Sequence, residues 1–195
     1  MSAEHVVLVN ELNVVLGTMP KAEVHHRDTP LHRGFSLFMF NRKGEVLSQK
    51  RSAAKLIFPL VWTDSASGHP QVHEANEEAA RRRVSEELGM ELTSVEEVAP
   101  YRYKVFHEGI LENEICPILV GFTRTAESQF DTAEIADVRW MEWGTFLKDM
   151  KAHPDQYSRW CIEGAEILKA HPRFCELMGS TGTSPDIVRA AAGSA

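Results

Sequence analysis

From Trp62 the chain reads Trp-Thr-Asp-Ser-Ala-Ser-Gly-His-Pro-Gln, and from Glu74 it continues as a charged segment that ends Arg-Arg-Arg-Val-Ser-Glu-Glu-Leu-Gly at Gly89. Within that segment Ala80, Val84 and Leu88 recur every fourth residue with Ala79 beside them. Residues 74–88 are therefore predicted to form an amphipathic helix that Gly89 stops. Glu77 with Arg81, and Glu78 with Arg82, form opposite-charge pairs at helical spacing. A turn of small residues leading into such a helix offers free N–H groups and a positive dipole end to phosphate oxygens. Arg83 and Glu87 share one face, where they present a phosphate clamp and a metal ligand together.

On the N-terminal side, two apolar runs within residues 5–18 predict a hairpin, and the segment carrying His25 and His32 reads as loop because Asp28, Thr29 and Pro30 interrupt it. Phe35 to Phe40, a turn at Asn41 to Gly44, and Glu45 to Arg51 read as strand, turn, strand. On the C-terminal side, residues 91–107 and 111–124 read as two long strands around Glu108-Gly109, and Val138 to Met141 as another. Residues 143–152 and 157–170 have helical periodicity, with Pro154 between them. Past Gly179 the composition turns to Gly, Ser, Thr, Ala and Pro without a period, which predicts a flexible tail over 179–195. The organisation expected is a single α/β domain over residues 1–178.

The 195 residues suffice for one full core and not for two ordinary domains. Lysine plus arginine number 21 against 28 acids, a net charge of −7 without a basic run, so nucleic acid is not an expected partner. The N-terminus lacks the regions of a secretory signal, and no apolar stretch approaches the roughly 20 residues that span a bilayer. No membrane association and a cytoplasmic location are the expectations, with a monomer or weak dimer. Cys116, Cys161 and Cys175 are widely spaced and odd in number, which fits reduced thiols better than a disulfide framework or a zinc knuckle.

Chemistry concentrates at two further places. Glu112 and Glu114 lie two apart in a predicted strand, so both carboxylates project from one face among Ile110, Leu111, Ile115, Ile118 and Leu119. If that face is buried, the pair needs a metal, a cation or a proton. If it meets solvent, the pair is only the polar half of an alternating strand. His25, His32 and His69 would complete a hard, octahedral-type site with the two acids, although a single loop histidine is more often a surface residue than a ligand.

The helix and its preceding turn resemble the Nudix box, which runs Gly, five residues, Glu, seven residues, then Arg-Glu-apolar-any-Glu-Glu-any-Gly-apolar. Gly68, Glu74, Arg82, Val84, Glu86, Glu87, Gly89 and Met90 fit, whereas Arg83 stands where that family has the first glutamate of its cluster. Losing that acid weakens a magnesium cage for pyrophosphate hydrolysis, and an arginine there suits holding a diphosphate intact. With His-Pro-Gln after Gly68 and Glu-Asn-Glu-Ile-Cys-Pro at 112–117, the chain resembles the type 1 isopentenyl diphosphate isomerases from about Glu4 to about Leu168. The resemblance implies a Nudix-type mixed-sheet α/β/α sandwich with the N-terminal additions of that family. It implies manganese, magnesium or zinc held by His25, His32, His69, Glu112 and Glu114. It also implies a prenyl diphosphate substrate with its own magnesium, held by Lys21, Arg51, Lys55, Arg83 and Glu87. Glu114 takes the place of the acid, Tyr103 of the tyrosine that assists it, and Trp160 of the tryptophan over the isoprenoid cation.

Ser67 departs from this pattern, because the family's catalytic cysteine occupies that position. Asp64 stands for an asparagine and Leu60 for a glycine commonly found there. A serine hydroxyl is a far weaker acid than a thiol and needs an adjacent base to act as one. Asp64 and Cys116 are candidates for that base. With acid and anchors retained, the leading expectation is an enzyme that protonates a prenyl double bond and diverts the cation, stabilised by Trp160 and Tyr103, to ring closure or rearrangement with the diphosphate still attached. The alternatives are an isopentenyl diphosphate isomerase rescued by another group and a catalytically silent diphosphate-binding protein. Hydrolysis ranks last, because Arg83 displaces a needed acid.

Overall fold

The computed structural model describes residues 4–180, and the expected tail, apart from its first two positions, lies outside them. Twelve strands form two mixed sheets. The first is ordered β2 (Val15–Pro20), β1 (His5–Val9), β3 (His32–Arg33), β10 (Ile110–Ile115), β9 (Arg102–His107). The second is ordered β12 (Ile135–Glu142), β5 (Glu45–Arg51), β4 (Phe35–Phe40), β11 (Ile118–Phe122), β8 (Ser94–Ala99), with β6 (Trp62–Thr63) on β5 and β7 (Ala66–Gly68) on β4.

The two sheets are joined by strands that pass from one into the other. β3 continues as β4 across Gly34, and β10 continues as β11 across Cys116-Pro117, both pairs running parallel. The crossing is tied by Gly34 N–H to Ile115 O at 2.9 Å, Ser36 N–H to Pro117 O at 3.1 Å and Cys116 N–H to Tyr101 O at 2.9 Å. This crossing corrects the expectation of two long strands over 91–107 and 111–124. Pro100 and Pro117 lack the N–H that an unbroken ladder requires, so each run divides in two and changes sheets there.

Strict alternation along β4 assigns its side chains to two cores. Phe35, Leu37 and Met39 pack with Ala79, Ala80, Val84 and Leu88 of helix α2 (Asn76–Leu88). Phe38 and Phe40 pack on the other face with Trp143 and Phe146 of α3 (Trp143–Ala152), Trp160, Cys161 and Ala165 of α4 (Arg159–Ala170), and Phe174 of α5 (Pro172–Ser180). The second sheet is thus sandwiched between helices, as expected for this class. The short α1 (Lys21–Val24) follows β2. Helix α5 was not legible in the composition of its segment, and it extends over Gly179 and Ser180, where the tail was expected to begin.

Helix α2 ends at Gly89, whose φ of 62° is the left-handed conformation a glycine cap supplies. Its surface pairs differ from those expected. Glu78 accepts from the Ala75 N–H at 3.0 Å, so it caps the helix, and Arg82 turns to Glu74 at 2.7 Å and Glu86 at 3.3 Å. Arg81 donates to Leu92 O at 2.5 Å. Unmet backbone groups at the helix start and at the following turn take Glu78 and Arg81, whereas Arg82 stays with carboxylates. Replacing Phe38, which is fully buried between β4 and helices α3 and α4, by alanine is expected to lower the unfolding free energy by about 3–5 kcal/mol, read by urea titration.

Candidate active site

Registry in the first sheet builds one wall. His32 of β3 pairs with Glu114 of β10, and Glu114 pairs with Tyr103 of β9, so imidazole, carboxylate and phenol stand in one row on one face. Glu112, two residues along β10, projects from the same face. Both carboxylates are buried, 5% and 7% exposed, which excludes the reading of β10 as a strand with a solvated polar half. His25 enters from the end of α1 and His69 from the end of β7. The three imidazole centroids lie 5.1–5.5 Å apart.

The ligand atoms of His25, His32, His69 and Glu114 all fall within 4.8 Å of one another. Glu114 Oε1 is 3.2 Å from His69 Nε2 and 3.3 Å from His32 Nε2. Glu112 stands at the flank of this group, its Oε1 3.8 Å from His25 Nε2. His32 is a strand residue here and not in a loop as expected, and its Nδ1 is 2.9 Å from Pro30 O. With Nδ1–H donating to that carbonyl, Nε2 faces the carboxylate with a lone pair. Among the described residues, neither His32 Nε2 nor His69 Nδ1 has a hydrogen-bond partner. A lone pair against a buried carboxylate demands a proton or a cation between them, and this nitrogen and carboxylate donor set suits a divalent metal ion.

Titration follows the crowding. Burial and then the neighbouring imidazoles depress His25 to about 4. Burial, with the charge of Glu114, pushes Glu112 well above the ordinary range. Burial acts on Glu114 in the same sense, but the close imidazoles of His32 and His69 overcome it and hold Glu114 well below that range. Two buried carboxylates on one face therefore divide between a protonated and an ionised partner.

A cationic cluster shares the cavity with this wall. Lys21, Arg51, Lys55 and Arg83 line the same cavity, about 560 Å³ in volume, as His25, His69, Glu112, Glu114, Tyr103, Ser67 and Trp160. Lys21 is held by Glu4 at 3.0 Å, Lys55 by Glu134, and Arg83 by Glu87, which stands behind it. Arg51 donates to the carbonyls of Ile57 and Phe58, with its guanidinium 5.5 Å from the Trp160 ring. Burial, countered by Glu87 but reinforced by Arg51, Lys21 and Arg83, lowers Lys55 to about 8. Four cations converging on one cavity suit a multiply charged anion. Trp160 and Tyr103, with centroids 5.9 Å apart, form an aromatic surface beside the acids.

Two expected pocket residues lie elsewhere. Leu60 does not line the cavity; it is 52% exposed at a φ of 59°, a left-handed turn at which glycine is unstrained. Asp64 is completely buried and does not line the cavity; Ser67, which does, has its Oγ 2.7 Å from each of the Asp64 carboxylate oxygens. Cys116 does line the cavity, but burial and the charge of Glu114 raise its thiol well above the ordinary range, so it supplies no thiolate. Other residues that build the site were missed. Glu134 and Glu4, which hold the lysines, carry no local signal. Gly34 does carry one, a glycine between two strand segments marking a close approach, since a Cβ there would fall on the Glu114 carboxylate.

This arrangement can be set beside known proteins. The NUDIX domain model matches residues 30–161. The DR0079 protein of Deinococcus radiodurans superposes with a TM-score of 0.67 at 22% identity over 84% of this chain and 98% of its own. The MutT protein of Methanosarcina mazei Go1 does so with a TM-score of 0.57 at 18% identity, over 77% and 96%. Fold and box together define a Nudix domain. In sequence the chain is 40% identical over 176 residues to the isopentenyl-diphosphate Delta-isomerase of Escherichia coli O1:K1, covering 89% of this chain and 96% of the relative. The relative of that name in Escherichia coli K12 is 39% identical over the same length. This chain belongs to the isopentenyl-diphosphate Delta-isomerase family within the Nudix superfamily. Among the described residues no helix is long and apolar enough to cross a membrane.

Gly34→Ala is expected to displace Glu114 and weaken manganese binding roughly 10–100-fold by calorimetry, with the circular dichroism spectrum unchanged. A second expectation concerns Asp64, whose carboxyl burial raises from 3.8 to about 6. The folded state then holds the proton more tightly than the unfolded chain, so stability is lost as pH rises between those values. The loss amounts to roughly 3 kcal/mol, and the stability curve of Asp64→Asn should lack it.

Proposed function

We propose that this protein is a divalent-metal-dependent isomerase that converts isopentenyl diphosphate to dimethylallyl diphosphate. The observation that carries the reading is one cavity in which a buried acid pair with three histidines faces four cations. Identity of 40% over nearly the whole length of an isomerase supports it. Lys21, Arg51, Lys55 and Arg83 would take the diphosphate, and Glu87, which is paired with Arg83 here, would serve its magnesium once Arg83 turns to the phosphate. His25, His32, His69, Glu112 and Glu114 hold the second cation as manganese, magnesium or zinc. A cation there would keep the imidazoles neutral and offset the carboxylate charge.

The reaction is a proton shift. The buried pair Glu112 and Glu114 carries one proton between its two carboxylates, and that proton reaches the terminal alkene carbon from Glu114, with Tyr103 assisting, while the positive charge develops at the tertiary carbon beside Trp160 and Tyr103. A proton then leaves the neighbouring carbon, and its bonding pair forms the internal double bond. Phosphate binding at one end and burial at the other hold the five-carbon chain while keeping water from the cation. Ring closure of a longer prenyl diphosphate, the first expectation from the sequence, draws on the same acid. It is favoured only by the serine at position 67, and no feature of the cavity selects it over the simpler shift.

Incubation of the purified protein with manganese, magnesium and isopentenyl diphosphate is expected to yield dimethylallyl diphosphate, detected by NMR of the internal alkene proton. Chelation should abolish turnover, and Glu114→Gln should lower kcat by roughly 10²–10⁴-fold. A cyclic product from geranyl or farnesyl diphosphate, with isopentenyl diphosphate untouched, would reject this reading in favour of ring closure. Metal-dependent binding without any turnover would reject it in favour of a silent binder.

A further inference from the structure

Outside the row of acids and histidines, the side chains that pack behind the cavity include one group without an obvious structural need. Asp64 is 0% exposed, and among the described residues no basic side chain forms a salt bridge with it. Its carboxylate is held chiefly by hydroxyls, with the Trp160 indole N–H beside it and the Arg51 guanidinium within electrostatic reach. Thr63 Oγ1 donates to Oδ1 at 2.8 Å, Ser36 Oγ donates to Oδ2, and Ser67 Oγ lies 2.7 Å from both oxygens. Thr63 Oγ1 in turn lies 2.7 Å from Ser158 Oγ. The backbone fixes this arrangement, since Ser67 of β7 stands opposite Ser36 of β4 in register.

Burying an unpaired carboxylate is costly, and a neutral amide would satisfy hydroxyls in the same place with a smaller desolvation penalty. What the charge adds is basicity, one hydrogen bond behind a hydroxyl that lines the cavity. A hydroxyl alone is a poor proton acceptor, and a carboxylate positioned behind it removes that defect. Ser67 comes to the cavity from the second sheet and Glu114 from the first.

We propose that Ser67 and Asp64 form a proton relay that completes the isomerisation, with Ser67 touching the substrate and Asp64 acting through it. As the C–H bond beside the cationic carbon breaks, its electron pair closes the new C=C bond. The proton passes to Ser67 Oγ while the former hydroxyl proton passes to an Asp64 oxygen. Glu114 has then lost one proton and Asp64 has gained one, so the total charge of the site is unchanged, and exchange with solvent resets both. Complete burial raises the Asp64 carboxyl to about 6, which leaves it largely ionised at neutral pH and still near the working range of a general base.

The relay rests on the isomerase reading, and a double-mutant cycle separates the two. Wild type, Asp64→Asn, Ser67→Ala, Ser67→Cys and the two Asp64→Asn double variants are assayed for kcat and KM on isopentenyl diphosphate, with manganese affinity as the check on folding. Asp64→Asn and Ser67→Ala are each expected to lower kcat by roughly 10²–10⁴-fold with KM little changed, and their double variant to be no worse than either. In the Ser67→Cys background, where a thiolate accepts the proton itself, the loss caused by Asp64→Asn should shrink at least tenfold. A loss of equal size in both backgrounds, or full activity in Ser67→Ala, would overturn the relay while leaving the isomerase reading intact. Absence of dimethylallyl diphosphate from the wild type would overturn both.

Discussion

Two carboxylates buried on one face of β10, with three imidazoles crowded against them, set the condition that the surrounding structure satisfies. Glu112 and Glu114 cannot both stay ionised in a dry wall without a compensating positive charge, and His32 and His69 face Glu114 closely enough to hold its charge. The same crowding pushes His25 towards neutrality, so the group is built to share a cation. Gly34 leaves the space in which the Glu114 carboxylate sits, which makes a residue without chemistry part of the site.

That wall exists because strands change sheets together. β3 becomes β4 and β10 becomes β11 at the same level, and the crossing opens the cavity between the two sheets. The first sheet contributes acids, one histidine and Tyr103. The second contributes Ser67 and His69 through β7, and α2 contributes Arg83. Helix α4 closes the side with Trp160, itself packed in the core that Phe38 and Phe40 share with α3 and α5. Core packing and site geometry are therefore linked through single strands, whose two faces serve helices on opposite sides.

Arg83 shows how one side chain redirects a common scaffold. It is buried on α2 and paired with Glu87, in the place where the Nudix pattern has an acid. An arginine there adds to the positive face made by Lys21, Arg51 and Lys55, and it favours gripping a diphosphate over assembling several metal ions around a scissile one. The differences at positions 64 and 67 lie close by, next to Gly68 on which the Arg83 side chain packs, and there a hydroxyl and a carboxylate stand in contact.

Periodicity and spacing alone determined α2 with its glycine stop, the β4–β5 hairpin, α3 and α4, because these depend on local patterns that repeat within a few residues. The segment around Gly68 to Met90 likewise pointed to the Nudix scaffold, since its glycines and charges answer to local turn and helix geometry. Only the tertiary structure decided that Glu112 and Glu114 are buried, that Glu112 flanks a tighter group of four ligands, and that Leu60 faces solvent. It alone showed that Asp64 supports Ser67, that Gly34 makes room for Glu114, and that the long strands divide as they switch sheets. Each of these depends on contacts between segments far apart in the chain, which local patterning does not encode.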